Sequence, residues 1–218
     1  MNNDTLRVYE TFSSIQGEST HAGRLCFFIR LAGCNLRCVY CDTRKAQLPS
    51  AGKERSLDEL VAEAERSGLK LVEITGGEPM LQKQTPELCR RLLQHGFEVL
   101  METNGSVALS SLPDGVRRII DWKTPFSGES DRMLEENFRS LRPGDEVKFV
   151  IADRRDYDAA LEVIRCFKMS GKAVLLFAPV FGKIEPRTLV EWMLRDRVPA
   201  RLNLQIHKIV WDPSAEGV

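Results

Sequence analysis

Short apolar runs recur along the chain, each stopped by glycine, proline or asparagine, and the stretches between them carry apolar residues at helical spacing. Residues 24–32, 69–75, 97–102, 116–123, 146–152 and 173–179 have the length and composition of buried strands. A last strand is expected near residues 202–206. Gly33, Gly76-Gly77, Thr103-Asn104-Gly105 and Thr124-Pro125 break the first four runs. Ser56-Leu57-Asp58-Glu59 has the form of a capping box, and Leu57, Leu60, Val61 and Ala64 follow on one helical face before Gly68. Thr85-Pro86 opens a second helix in the cap and first-turn positions, with Leu88, Leu92 and Leu93 on one face and Gly96 closing it. Further helices are expected over about 153–169 and 186–197. Residues 1–12 read as a short polar lead, and 10–19, which lack clean periodicity, as a loop or a short strand ending.

Strands alternating with helices imply an α/β fold with a parallel sheet and right-handed crossovers. About six units are countable, fewer than the eight of a closed barrel of roughly 250 residues, so the expected architecture is an open, partial (β/α)6 barrel. The 218 residues suit a single domain, 1–218, with a short N-terminal leader. Active sites in such sheets gather at the carboxyl ends of the strands. Cys34, Gly76, Asn104, Lys123 and Gln205 all fall at or just beyond such an end, and one mouth could collect them.

Composition removes several classes of function. Lys plus Arg equals Asp plus Glu, giving a formal charge of +0, and no basic stripe marks a nucleic-acid face. No apolar run approaches the roughly 20 residues that span a bilayer. No charged-then-apolar leader precedes the first strand, so a cytoplasmic protein with reduced thiols is expected. Cys26, Cys89 and Cys166 lie in apolar-patterned segments and read as small hydrophobes.

The remaining cysteines are different. Cys34, Cys38 and Cys41 fall within eight residues at x3, x2 spacing. Thiolates select zinc or iron–sulfur clusters, and a zinc site wants a fourth ligand. No second cysteine pair exists, although His95 or His207 could complete such a site. Three thiolates can also hold three corners of a four-iron cluster and leave one iron open for chemistry. Arg30 interrupts the strand just before this loop, and a guanidinium there either snorkels to solvent or faces an anion; the anion is the favoured reading.

With its x3, x2 cysteines and with Gly76-Gly77-Glu78-Pro79 about 35 residues after Cys41, the chain resembles the radical S-adenosylmethionine (SAM) superfamily. That resemblance implies a partial barrel of the radical SAM type, a [4Fe–4S] cluster on Cys34, Cys38 and Cys41, and SAM held through the Gly-Gly-Glu-Pro segment. Within the superfamily, three stretches look like the 7-carboxy-7-deazaguanine synthases: Phe12-Ser13-Ser14-Ile15-Gln16-Gly17-Glu18, the strand from Phe28 to Asn35, and Cys41-Asp42-Thr43. The likeness continues through Met101-Glu102-Thr103-Asn104-Gly105, Asp121-Trp122-Lys123 and Gln205-Ile206-His207-Lys208, and is weakest over about 127–142. Where many members have Ser-Pro-Lys, this chain has Asp121-Trp122-Lys123.

The resemblance implies conversion of 6-carboxy-5,6,7,8-tetrahydropterin to 7-carboxy-7-deazaguanine with loss of ammonia, in the queuosine and deazapurine pathway. It assigns Ile15, Gln16, Gly17, Arg30 and Thr75 to the pterin, with Arg30 on its carboxylate. It assigns Tyr40, Cys41, Asp42, Gly77, Glu78, Asp121, Trp122 and Lys123 to the cofactor, and Thr43 to a Mg2+ ion. A homodimer and an electron donor such as flavodoxin or ferredoxin are likewise implied. Two other readings stay open at this point: an activase of glycyl-radical enzymes, which shares both motifs but needs a groove for a large partner, and a non-catalytic zinc-binding module.

Overall fold

The computed structural model describes residues 4–218. Residues 1–3 of the expected polar lead lie outside the described residues. From Thr5 the chain forms not a lead but an 11-residue strand, β1 (Thr5–Ile15), paired antiparallel with β2 (Leu25–Leu31) on one side and β3 (Lys53–Ser56) on the other. Leu6 and Val8 bury one face of β1, and Phe12 stacks on Phe28 with ring centroids 4.8 Å apart. Its charged residues had hidden this strand from periodicity. It lies near one border of the sheet, where half of the side chains can meet water.

Then come α1 (Leu57–Ser67), β4 (Leu71–Gly76), α2 (Thr85–Gln94), β5 (Glu98–Thr103), β6 (Arg117–Trp122), α3 (Glu135–Arg139), β7 (Glu146–Ile151), α4 (Arg154–Cys166), β8 (Val174–Pro179), α5 (Pro186–Asp196), β9 (Ala200–Leu202) and α6 (His207–Val210). The sheet order is β3-β1-β2-β4-β5-β6-β7-β8-β9, with every pair from β2 onward parallel. The two border strands do not pair, so the barrel is open. Among the described residues no helix lies between β5 and β6, so the crossovers are less regular than a repeating strand–helix unit suggests. The last strand ends at Leu202; Gln205 is already in the turn that leads to α6.

Local signals placed the helices well. Ser56 accepts from the Glu59 N–H while Glu59 reaches back to the Ser56 N–H, and Gly68 closes α1 at φ 70°. Pro86 sits in the first turn of α2, but Thr85 is a helical residue and not the cap: its hydroxyl donates to the Pro79 carbonyl at 2.6 Å.

Period-2 alternation divides the sheet into two faces. Outward, Ile29, Ile74, Met101, Ile120, Phe149 and Phe177 join the apolar stripes of the helices in the main core. Inward, Cys26, Phe28, Leu71, Leu100 and Ile119 form a small apolar plug, with Phe12 against it. Beyond that plug, toward the carboxyl ends of the strands, the inner face turns polar: Glu73, Thr75, Asp121, Lys123 and Lys148 are buried there.

Candidate active site

A cavity of about 570 Å³ opens at the carboxyl ends of the strands. It is lined by the three motif cysteines, by Ile15, Gln16 and Gly17 of the leader, and by Arg30, Tyr40, Asp42, Thr43, Thr75, Gly77, Asp121 and Lys123. Cys34, Gly76, Asn104 and Lys123, at or just beyond strand ends, are on its wall, and Gln205 joins them from the turn before α6.

The cysteine loop is clamped at its base. The Gly77 N–H donates to Leu31 O at 3.0 Å and the Glu78 N–H to Gly33 O at 2.8 Å. A Cβ at Gly77 would lie 2.1 Å from Gly33 O, so only glycine lets these two backbones meet. The tip is held by Val39 N–H to Ser127 O (3.1 Å) and by the guanidinium of Arg37, which donates to the carbonyls of Cys34 and Leu36. All six cysteines are free thiols. Burial pushes the Cys38 thiol up to about 11 and raises Cys34 as well, so binding metal there must release protons. Among the described residues no group of three Cys, His or acidic side chains is arranged to hold one metal ion. His95, one of the two histidines that could have completed a zinc site, instead pairs with Glu65 at 2.8 Å. Three thiols on one wall suit a cluster, in which each thiolate holds a different iron.

Beside the thiols the wall carries an aromatic and a charge pair. Tyr40 stacks on Phe126 (centroids 6.4 Å, planes 11° apart), and its buried hydroxyl has no hydrogen-bond partner among the described residues. An orphaned polar group aimed at a cavity wall suits a ligand that brings its own partner. Lys123 lies 5.9 Å from the Tyr40 ring centroid and its Nζ donates to Asp121 Oδ2 at 2.6 Å. Burial opposes the Lys123 charge, but Asp121 holds the ammonium well above the usual lysine range.

Two residues expected at the cofactor are elsewhere. The Trp122 side chain lies on the outer face, packed on Phe138 (4.6 Å) and Phe167 (5.3 Å). Alternation with Asp121 and Lys123 dictates this, so its indole cannot reach the cavity. Glu78 is fully buried and does not line the cavity. It accepts from Thr103 Oγ1, the Asn104 N–H and the Met80 N–H at 2.9, 2.7 and 2.9 Å. It is a brace between the Gly-Gly-Glu-Pro turn and the end of β5, and the braced Asn104 in turn lies 3.8 Å from Cys34 Sγ through its Nδ2.

On the opposite wall, Gln16 Nε2 donates to Glu73 at 2.7 Å while its Oε1 accepts from the Glu18 N–H, so its amide pins the leader over the barrel. The Ile206 N–H donates to Gly17 O at 2.9 Å, and a Cβ at Gly17 would lie 1.9 Å from His207 Nδ1. Asp42 accepts from Lys208 (2.9 Å) and Gln205 (3.2 Å). Burial alone would raise its carboxyl, yet these partners bring it down to about 2. Arg30 does face an anion, although one from its own sheet: Nε donates to Glu10 at 2.8 Å, and the guanidinium lies 5.4 Å from the Phe12 ring centroid. Thr75 donates to Glu102 at 3.2 Å, and Thr43 Oγ1 is 3.9 Å from Cys41 Sγ.

Glu73, Glu102 and Lys148 were not singled out from the sequence, yet they carry the charge of the cavity floor. Burial and the nearby Glu102 push the Glu73 carboxyl well above its usual range. The signal was available: each is a charge inside an apolar strand, in step with the inner face, as Arg30 is.

Comparison with known proteins agrees with this architecture. The model of the Radical SAM superfamily matches residues 28–194. The 7-carboxy-7-deazaguanine synthase of Koribacter versatilis is 40% identical, over 98% of this chain and 100% of the relative. That of Chlorobaculum tepidum is 43% identical, over 98% and 97%. The crystal structure of QueE from Escherichia coli shares the fold at a TM-score of 0.75 and 23% identity, covering 92% of this chain and 94% of that one. With its three-thiol loop clamped to a Gly-Gly-Glu-Pro turn at the mouth of an open barrel, the chain belongs to the radical SAM superfamily and, within it, to the 7-carboxy-7-deazaguanine synthase family.

Proposed function

We propose that this protein converts 6-carboxy-5,6,7,8-tetrahydropterin to 7-carboxy-7-deazaguanine with loss of ammonia. Superfamily membership implies a [4Fe–4S] cluster and SAM as cofactors. When bound, these would supply the one-electron, hydrogen-abstracting chemistry needed at C6 of the pterin, while the protein positions and shields the reactants. Cys34, Cys38 and Cys41 hold the cluster. Tyr40, Gly77, Asp121 and Lys123 hold SAM, with the Tyr40 hydroxyl gaining its missing partner. Asp42 serves SAM indirectly, as the anchor of α6 beside it. Ile15, Gly17 and Thr75 line the pterin, and Gln16 holds the leader against it. The hydrogen bond from Arg30 to Glu10 uses Nε, and the terminal amino groups of the fork suit the pterin carboxylate. Thr43, which lines the cavity, would be the residue to hold a Mg2+ ion with the substrate bound, an ion that dehydrates reluctantly and needs few protein ligands.

The observation that carries this reading is the collection of the thiols, the glycine turn and a charged wall around one cavity. It also favours the pterin over the activase reading. The leader and α6 meet across the mouth through Gly17 and Ile206, which suits a small substrate better than a protein loop. The described residues act as one radical SAM core domain, with Gln16 and Gly17 of the leader lining the cavity assigned to the substrate. No described helix is long and apolar enough to cross a membrane. We further propose that the protein works as a cytoplasmic homodimer reduced by flavodoxin or ferredoxin. The test is anaerobic incubation of reconstituted protein with SAM, dithionite and carboxytetrahydropterin: formation of the deazaguanine acid by mass is expected, and reductive SAM cleavage with no such product would overturn the substrate assignment.

A further inference from the structure

Lys148 has no role in the proposed reaction, yet it is the most heavily engaged charge in the cavity. Its side chain is 7% exposed, and its Nζ donates to Glu18 Oε2 at 2.9 Å and to Glu102, with Asp121 Oδ1 at 3.4 Å. These three carboxylates come from three different elements: the leader, β5 and β6. Burial opposes the charge, but the carboxylates hold the ammonium well above the usual lysine range. Stability alone does not call for such a group. A buried ion cluster is often replaceable by apolar residues without loss, so a strand lysine facing a barrel interior needs another reason.

Each of the three partners continues outward into a different wall. Glu18 accepts from Gln205 (2.8 Å) and Asn203 (3.2 Å) and so holds the leader to the segment before α6. Glu102 accepts from Thr75 on the wall assigned to the pterin. Asp121 accepts from Lys123 on the wall assigned to SAM. Without the ammonium, Glu18 and Glu102 would lose their cation and Asp121 would keep only Lys123, and the acids of this largely buried layer would separate or take up protons. Either response moves both walls at once.

We infer that Lys148 is a positioning residue that couples the pterin and SAM sites, holding Glu18, Glu102 and Asp121 in one charge-balanced layer. The inference rests on the assignment of the two walls to pterin and SAM. Coupling between two binding sites is reciprocal, so it can be read from either ligand without turnover.

The experiment uses the full-length, cluster-reconstituted protein under anaerobic conditions with no reductant. The Kd of carboxytetrahydropterin is measured by calorimetry with and without saturating SAM, in the wild type, Lys148→Met and Lys148→Arg. SAM is expected to tighten pterin binding in the wild type by at least about fivefold, the lower end of ordinary site coupling. In Lys148→Met that factor should fall to about one, with pterin Kd raised about tenfold or more, while Lys148→Arg restores most of the factor. A Lys148→Met protein of normal iron content that keeps the wild-type factor overturns the inference. Binding of both ligands to the wild type without coupling overturns it alone, whether or not Lys148→Met folds. A wild type that binds neither ligand overturns the reading of the walls and the inference with it.

Discussion

The two faces of the parallel sheet are made by alternate residues of the same strands, and they have opposite characters. On β7, Val147, Phe149 and Ile151 point outward into the main core, while Lys148 points inward to three carboxylates. On β4, Val72 and Ile74 face outward, and Glu73 and Thr75 inward. The outer face can be packed by any well-shaped apolar set. The inner face has an apolar plug only at its floor and elsewhere keeps buried charge that must be paired. A fold needs the first arrangement; a reaction that must be shielded from water, yet grip charged ligands, needs the second.

The sharpest break in that comparison is at the thiols. Cys34→Ala, Cys38→Ala or Cys41→Ala should each abolish SAM cleavage, whereas Cys26→Ala, Cys89→Ala and Cys166→Ala should keep full iron content. Iron analysis and 5′-deoxyadenosine formation, measured on all six proteins, check this. Loss of iron in a Cys89 variant with retention in a Cys38 variant would reverse the ligand assignment.

On the outer face the effect should be on stability alone. Phe177 is fully buried, edge-to-face with Phe149 (5.7 Å) and Tyr157 (5.6 Å). Phe177→Ala is expected to cost about 3–5 kcal/mol, read as a lowered denaturant midpoint, with turnover per folded, iron-loaded molecule near wild type. A stable variant with lost turnover would make the outer face part of the chemistry.

Much of the outer face was legible in the sequence. Helix caps such as Ser56 and breaks such as Gly76-Gly77 are local signals, and apolar runs report burial whatever lies across from them. β1 was not legible, because its stability comes from backbone pairing with β2 and β3 and its charged residues mask alternation. On the inner face, motifs pointed to residues that line the cavity but not to the charges beside them. Glu73, Glu102 and Lys148 are each marked as a charge inside an apolar strand, but only the register of the sheet shows that they come together. Trp122 shows the converse: neighbouring Asp121 and Lys123 in sequence put it in the motif, and the pleat turned it away.

Arg30→Lys tests the inner face more gently. An ammonium keeps the charge and loses the planar fork, so pterin affinity should fall about tenfold while SAM affinity stays unchanged. Calorimetric titration with each ligand checks it, and unchanged pterin affinity would leave Arg30 as the partner of Glu10 only.

The smallest effect is expected at Thr43. Thr43→Ala should keep iron content and SAM binding but lose most of the Mg2+ stimulation of product formation, because among the described residues no acidic cage is arranged to replace the hydroxyl. Product yields with and without Mg2+ in both proteins decide it; equal stimulation removes Thr43 from the metal site.

The central claim is that pterin and SAM meet in this one cavity and exchange a hydrogen there. It is tested most directly by following a label from C6 of the pterin. Reconstituted protein is incubated anaerobically with SAM, dithionite and carboxytetrahydropterin deuterated at C6, and the recovered SAM is analysed by mass. The account predicts deuterium at the 5′-methylene of that SAM alongside the deazaguanine acid. Product formed with no deuterium in SAM or 5′-deoxyadenosine would contradict it.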